Sequence, residues 1–345
     1  MPTRRKLEDM SDQERFTVNT IYLATSEGIS VVRGSENRWQ GATQLEDKQV
    51  ECVLADHKTR DVAFCGTFGA GLFRTSDAGR AWAPCAGFPE ATVTALAAAE
   101  SGVLFAGTEP SRVFRSDDLG ETWFALPRLT ELPSAENWSF PPRPHTHHVR
   151  AILPDFERPD DLHVAIEAGA MLRSKDAGSR WVDRVRSAPK DTHWLISNPL
   201  ERNTLYSAAG DGFFQSSDDG ETWQRFEQGL DGTYCWSMAI SARPSRAMVM
   251  SAAKSAYGAH YEPYAHSYVY RREGNAPWEK TLGGLPNSQD HRAAVIASVD
   301  TSPGLFFLST EGAVFRSTDD GRNWQELSID WLNGRAKHAV GIAVG

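Results

Sequence analysis

The sequence predicts an all-β chain folded as a seven-bladed β-propeller of four-stranded blades. Three observations carry that reading. Tryptophans recur at Trp39, Trp82, Trp123, Trp181, Trp223, Trp278 and Trp324, with intervals of 43, 41, 58, 42, 55 and 46 residues. A period of this size with one signature per unit marks a repeat architecture. Five of these tryptophans close one phrase: Thr75-Ser-Asp77-Ala-Gly79-Arg-Ala-Trp82 returns at Ser116 to Trp123, Ser174 to Trp181, Ser216 to Trp223 and Ser317 to Trp324. Finally, each unit holds four short runs rich in β-formers and bounded by turn residues. No segment keeps a helical period.

The unit around Trp123 shows the pattern. Val93-Thr-Ala-Leu-Ala-Ala-Ala is followed by Val103-Leu-Phe-Ala-Gly, by Val113-Phe-Arg-Ser and by Thr122-Trp-Phe-Ala-Leu. Small residues suit the first run, because strands near a ring's axis are crowded. The phrase joins the third and fourth strands. Its Ser or Thr hydroxyl and its Asp carboxylate accept N–H groups inside the turn. Its Gly supplies a positive φ, and its Trp wedges between blades. The first unit, Phe16 to Leu45, lacks an innermost strand, and the last run, Ala339-Val-Gly-Ile-Ala-Val, lacks a unit. Pairing the two closes the ring and removes an open edge. The expected organisation is a polar, disordered tail over 1–15 and a single propeller over 16–345.

Composition narrows the function. The net charge is −9, and the basic residues are scattered apart from Arg4-Arg5-Lys6. That balance argues against nucleic acid and against an anionic membrane surface. No apolar stretch has the length of a membrane span, and Met1 to Glu14 is too polar for a secretory signal. Cys52, Cys65, Cys85 and Cys235 show no paired spacing and read as free thiols. The expected compartment is the cytoplasm.

The recurring phrase resembles the Asp box, or BNR repeat, of the sialidase-like propellers, whose pattern is Ser/Thr-x-Asp-x-Gly-x-Thr-Trp. Five copies stand in register across essentially the whole chain. Units one and six depart from it: Arg33 to Trp39 and Arg272 to Trp278 keep the Trp and lose the Asp. In that family the Asp boxes lie on the outer rim, away from the ligand. The resemblance therefore gives Asp77, Asp118, Asp176, Asp218 and Asp319 a structural role. The broad set of bacterial BNR-repeat proteins called glycosyl hydrolases is similar, and that name follows the scaffold rather than a site.

Function is expected where the repeats differ. The two long intervals hold insertions. One runs from Leu129 to His148 and carries Trp138, Phe140, Arg143 and His145. The other runs from Lys254 to Ser267 and carries Tyr257, His260, Tyr261, Glu262, Tyr264 and His266. Loops entering an innermost strand and loops between second and third strands open on one face, so both insertions should cover the channel mouth. The same face collects His147-His148-Val-Arg150, Asp191-Thr-His193-Trp194, Tyr234-Cys-Trp236, Asp290-His291-Arg292 and Lys337-His338. Eight of the ten histidines fall there; His57 and His163 do not. Second-to-third-strand turns add Glu27, Glu109, Glu167, Asp211 and Glu311, for which loop solvation is the preferred reading. Alternation along a strand would put His145 and His147 on one face and His148 on the other.

These residues suggest a small polar or anionic ligand at the mouth. Acid–base work would fall to His147, His193 or His291. His145, His148, Arg150, Trp194, Trp236, Arg292, His338, Trp138 and His260 would contact the substrate. No cofactor is fixed; a divalent metal on His145, His147, His193 and His291 is the candidate. The sialidase resemblance implies a carboxylate clamp from Arg150, Arg292 and Arg335 and a nucleophile at Tyr257 or Tyr261, although the sialidase Arg-Ile-Pro motif is absent. Endo-glucanases of related fold set carboxylates across a cleft between two propellers, and this chain has one. A glycosidase-like hydrolase or a lyase is the first reading. The alternative is a non-catalytic binding scaffold similar to the photosystem II stability factor. That reading expects a protein partner and an exposed apolar patch around Trp138 and Phe140.

Overall fold

Seven antiparallel sheets follow one another around a ring in a computed structural model that describes residues 18–35 and 38–345. The tail expected over 1–15 lies outside these residues. The innermost strands of blades two to seven are Val50–Ala55, Val93–Ala98, Val149–Pro154, Thr192–Ser197, Tyr234–Ile240 and Val295–Ser298. Blade one takes its innermost strand from the other end of the chain. Ala339–Val344 pairs antiparallel with Thr20–Thr25, setting Ile21 opposite Val344 and Leu23 opposite Ile342. The ring closes as the unmatched runs in the sequence suggest.

Two blades depart from the four-stranded pattern. Blade one gains a fifth, outer strand, because Ile329–Trp331 runs parallel to Arg38–Gln44. In blade four the fourth strand shrinks to one bridge between Arg173 and Val182. Asp183, which would extend it, turns away and accepts the Ser134 backbone N–H of the first insertion at 2.9 Å. Arg184 then adopts φ 45° and ends the ladder. The insertions also hold the short helices that no sequence period signals, Pro133–Asn137 and Ala256–His260.

The repeated turns clamp adjacent blades together. At Ser116 to Trp123, the Gly120 N–H donates to Ser116 Oγ at 2.9 Å. The Thr122 N–H donates to Asp118 Oδ1 at 2.8 Å and its hydroxyl to Oδ2 at 2.6 Å. These bonds hold the Asp118 carboxyl at about 2, led by the Thr122 hydroxyl. The glycine is needed for two reasons. It has positive φ in all five copies, and so does the residue before it. It also abuts the preceding blade: a Cβ on Gly120 would lie 2.8 Å from the Phe64 ring, and one on Gly321 would overlap Val249. The tryptophans point the same way round the ring. Trp39 meets Phe307 of blade seven at 6.5 Å, Trp82 meets Tyr22 of blade one at 6.0 Å, and Trp278 meets Phe213 of blade five at 5.0 Å. Trp39, Trp223, Trp278 and Trp324 are buried; Trp82, Trp123 and Trp181 are half-buried.

Gly321→Ala should therefore cost roughly 2–4 kcal/mol, from a left-handed alanine and an overpacked blade junction. Gly334→Ala is the control. Its φ is also positive, yet nothing lies within 4 Å of a Cβ there, so only the backbone penalty of about 1–2 kcal/mol remains. Urea unfolding of both variants measures the difference.

His163 gives a pH test of the same junctions. It is buried and bonded to the Asp219 carbonyl at 3.0 Å through Nε2. Burial lowers its pKa below the ordinary value. Below about 6.5, where a free imidazole titrates, protons prefer the unfolded chain. The stability that neutral His163 lends is complete above that pH and is lost as pH falls. Urea midpoints should drop between pH 7 and 5, and the drop should be shallower in His163→Leu.

Candidate functional site

The innermost strands of blades two to six share one irregularity, and it builds the site. Their register slips by one residue close to the start. Glu51 lies unpaired between Val50↔Thr67 and Cys52↔Gly66. Thr94, Arg150 and His193 occupy the same place in blades three, four and five. In blade six the slip falls at Trp236 and Ser237. A bulge bends the strand and re-aims the extra side chain. Here Glu51, Arg150, His193 and Trp236 approach one another near the axis, while the Thr94 hydroxyl donates to the Val149 carbonyl of the next blade at 2.6 Å. The Arg150 guanidinium lies 4.8 Å from the Trp236 ring, the His193 ring lies 4.8 Å from it, and the charges of Arg150, His148 and Arg143 reach Glu51. Burial raises the Glu51 carboxyl's pKa despite those cations.

Glu167, in the turn after the second strand of blade four, is the hub. His148 Nε2 donates to its Oε2 at 2.6 Å, and Arg150 Nε stands 3.4 Å from the same oxygen. Its Oε1 faces His193 Nε2 at 3.8 Å. Burial alone would raise the Glu167 pKa. The hydrogen bond and charge of His148, with Arg150 and His193, outweigh it and hold the carboxyl at about 2. Asp191 Oδ2 lies 3.6 Å from His193 Nε2. A second layer orients the first: Arg143 grips Glu109 with a bidentate pair at 3.0 and 2.5 Å, and His148 Nδ1 sits 3.6 Å from Glu109 Oε2. Tyr234 and Trp236 wall His193, and Tyr234 Oη bonds His260 Nε2 at 3.2 Å.

The expected residues divide. His148, Arg150, His193, Trp236 and His260 converge here. Burial, with repulsion from His193 and His338, drives the His260 pKa down to about 3. Trp194 instead packs between blades five and six. His147 is held between blade three and the first insertion, its Nδ1 accepting the Ser111 N–H at 3.3 Å and its ring lying 5.5 Å from Trp138. His145 is exposed. The expected strand alternation of His145, His147 and His148 does not arise, since the strand begins at Val149, His145 lies in a turn, and 146–148 are irregular. His291 bonds the Gln289 carbonyl at 2.9 Å through Nδ1. His338 lies 3.7 Å from Glu311, with its pKa lowered to about 4, chiefly by burial. Of the four histidines proposed as metal ligands, only His193 joins a group with ligand spacing. Among the described residues that group is Glu167, Asp191 and His193, with ligand atoms all within 4.8 Å.

The arginine clamp does not assemble either, because each arginine answers to its own acid. Arg292 is bound by Glu311 at 2.9 and 2.5 Å, and Arg335 pairs with Glu326 at 3.1 Å. Tyr257, Tyr261 and Tyr264 are 64%, 53% and 66% exposed and stack against one another on the second insertion. A nucleophilic tyrosine needs a base within hydrogen-bond reach, and the described residues give none to the Tyr257 or Tyr261 hydroxyl. Tyr257 and Tyr264 line a cavity of about 730 Å³ together with Asp231, Lys254, His266 and Tyr268. The exposed patch expected around Trp138 and Phe140 is absent: Trp138 is buried with Nε1 donating to Ser134 Oγ, and Phe140 packs on His148 at 4.7 Å. Sequence reasoning passed over Glu51 as a site residue and took Glu167 for a solvated turn acid. The available signal was Glu51 itself, a charged residue second in an innermost strand.

No family model and no curated protein matches the sequence. Solved structures do. A Niastella koreensis GH74 enzyme superposes with a TM-score of 0.62 at 14% identity, over 89% of this chain and 46% of that one. An ancestral GH74 enzyme gives 0.60 at 14%, over 89% of this chain and 40% of that one. YCF48 bound to a D1 peptide gives 0.53 at 17%, over 80% and 81%. This chain thus spans less than half the length of the GH74 enzymes it resembles. Likeness at these identities establishes the propeller fold alone.

Proposed function

We propose that the chain is a hydrolase or lyase of glycosidase-like type that takes a small polar or anionic substrate at the channel mouth of an Asp-box propeller spanning residues 16–345. One observation carries this reading. Among the described residues, Arg150 makes a single ion pair, to Glu167 through Nε. Its terminal nitrogens stay available, backed by the Trp236 ring, beside buried carboxylate and imidazole groups. A guanidinium in that position binds a carboxylate, sulfate or phosphate with two parallel hydrogen bonds. The bound substrate's reacting end would then lie against Glu167 and His193, whose chemistry is to move a proton or to hold a cation. Four free cysteines accord with a cytoplasmic setting.

The test is a thermal-shift and turnover panel of glycosides, sugar acids and small organic anions. Wild-type protein should respond to an anionic member. Arg150→Gln should weaken that response about tenfold or more, the cost of a charge-assisted contact, while circular dichroism stays native. A response that survives the substitution would place the anion elsewhere.

The scaffold reading has one observation in its favour, the exposed tyrosines beside the second insertion's cavity. Exposed aromatic groups suit peptide recognition, and one structural neighbour, YCF48, is bound to a D1 peptide. A panel in which no small molecule acts would leave that reading as the stronger one.

A further inference from the structure

We infer that Glu167, Asp191 and His193 form a preorganised site for a divalent first-row metal ion. The inference rests on the channel-mouth reading of this site and adds the group that would act there.

Each of the three side chains is tethered at one atom and free at the other. His193 Nδ1 lies 2.7 Å from the Cys235 carbonyl. A carbonyl only accepts, so Nδ1 carries the hydrogen, and in the neutral ring Nε2 is left with its lone pair. Metal-binding histidines are held in this way. Asp191 Oδ1 accepts the Ala168 N–H at 3.1 Å, leaving Oδ2. Glu167 Oε2 is taken by His148 and Arg150, leaving Oε1. The three free atoms face one another.

The second observation is the state of His193. Its side chain is 0% exposed, and Nε2 has no hydrogen-bond partner among the described residues. It points between Glu167 Oε1 at 3.8 Å and Asp191 Oδ2 at 3.6 Å. A buried lone pair aimed at two carboxylate oxygens is costly unless a cation lies between them. The spacing suits one. Metal–ligand bonds of about 2.0–2.2 Å place neighbouring ligand atoms roughly 3–3.5 Å apart, so the two distances from His193 need to shorten by only a few tenths of an ångström, and the Glu167–Asp191 edge, within 4.8 Å, takes the larger adjustment. One imidazole and two carboxylates suit zinc or manganese better than calcium or magnesium. Three protein ligands would leave coordination positions open towards Arg150, as in catalytic rather than structural sites.

Gly210 supports the same geometry. Its φ is not positive, so the glycine is not there for its backbone freedom. A Cβ would instead overlap Asp191 Oδ2. The missing side chain leaves the seat that the carboxylate occupies.

The test uses the full chain after chelator treatment and dialysis. Titration with ZnCl₂ or MnCl₂, followed by calorimetry and elemental analysis, should give about one equivalent per chain and a raised melting temperature. Co²⁺ should give visible absorption bands that Zn²⁺ displaces. Asp191→Asn and His193→Gln should each weaken binding at least a hundredfold, and Gly210→Ala at least tenfold, with native circular dichroism. Two results would overturn the site: no binding of Zn²⁺, Mn²⁺ or Co²⁺ by wild-type protein, or binding that survives Asp191→Asn and His193→Gln. The first, beside an intact Arg150-dependent anion response, would discard the cation and keep the substrate site. Stoichiometric metal binding without any anion response would do the reverse.

Discussion

Closure of the ring is the constraint on which everything else rests. Each blade is a small sheet whose faces are covered only by its neighbours, and an isolated sheet of this kind is marginal in water. The pairing of Ala339–Val344 with Thr20–Thr25 gives every sheet two neighbours. It also makes the centre of the molecule a place where seven strands begin close together. Arg150 of blade four reaches Trp236 of blade six only because blade five, between them, is held at a fixed wedge angle. The site is a product of the circle rather than of any blade.

The two faces then do different work. On one, the glycine of each repeated turn presses against the preceding blade and the tryptophans wedge the junctions. On the other, charge is gathered under two insertions. Glu167 is ionised at depth because His148 and Arg150 of its own blade reach it, with His193 of blade five opposite. An unpaired buried carboxylate would neutralise or unfold its surroundings. The charges of His148 and Arg150 beside Glu167 are thus a structural requirement as well as a chemical opportunity. Arg292 shows the contrast: its charge is taken up by Glu311 and by Glu262 of the second insertion, which leaves it a strut.

Much of the fold was legible in the sequence. Blade number, ring closure and the places of both insertions followed from the tryptophan spacing and from two unmatched runs at the chain ends, all of which are local or countable. The missing fourth strand of blade four was not, since it depends on Asp183 leaving its sheet to hold Ser134. The site was legible as a face and hardly as a constellation. Glu167 recurs in register with Glu109 and Glu311, and what separates the three is their partners, Arg143 on Glu109, Arg292 on Glu311, and His148 with Arg150 on Glu167. The bulges at Glu51, Arg150 and His193 escape a period-two reading, because one extra residue changes which side chains point inward without changing composition. The same limit undid the expected ordering of His145, His147 and His148, where the chain turns instead of extending.

The bulges have a consequence for how such a molecule can change over time. A residue that belongs to neither side of the alternation is excused from the packing rules of the sheet. It need not be small, apolar or branched. In this ring that freedom falls at one level near the axis, and successive blades fill it with a carboxylate, a hydroxyl, a guanidinium, an imidazole and an indole. The propeller thus carries a circle of interchangeable sockets. New chemistry can be installed one position at a time, with the junctions between blades left untouched.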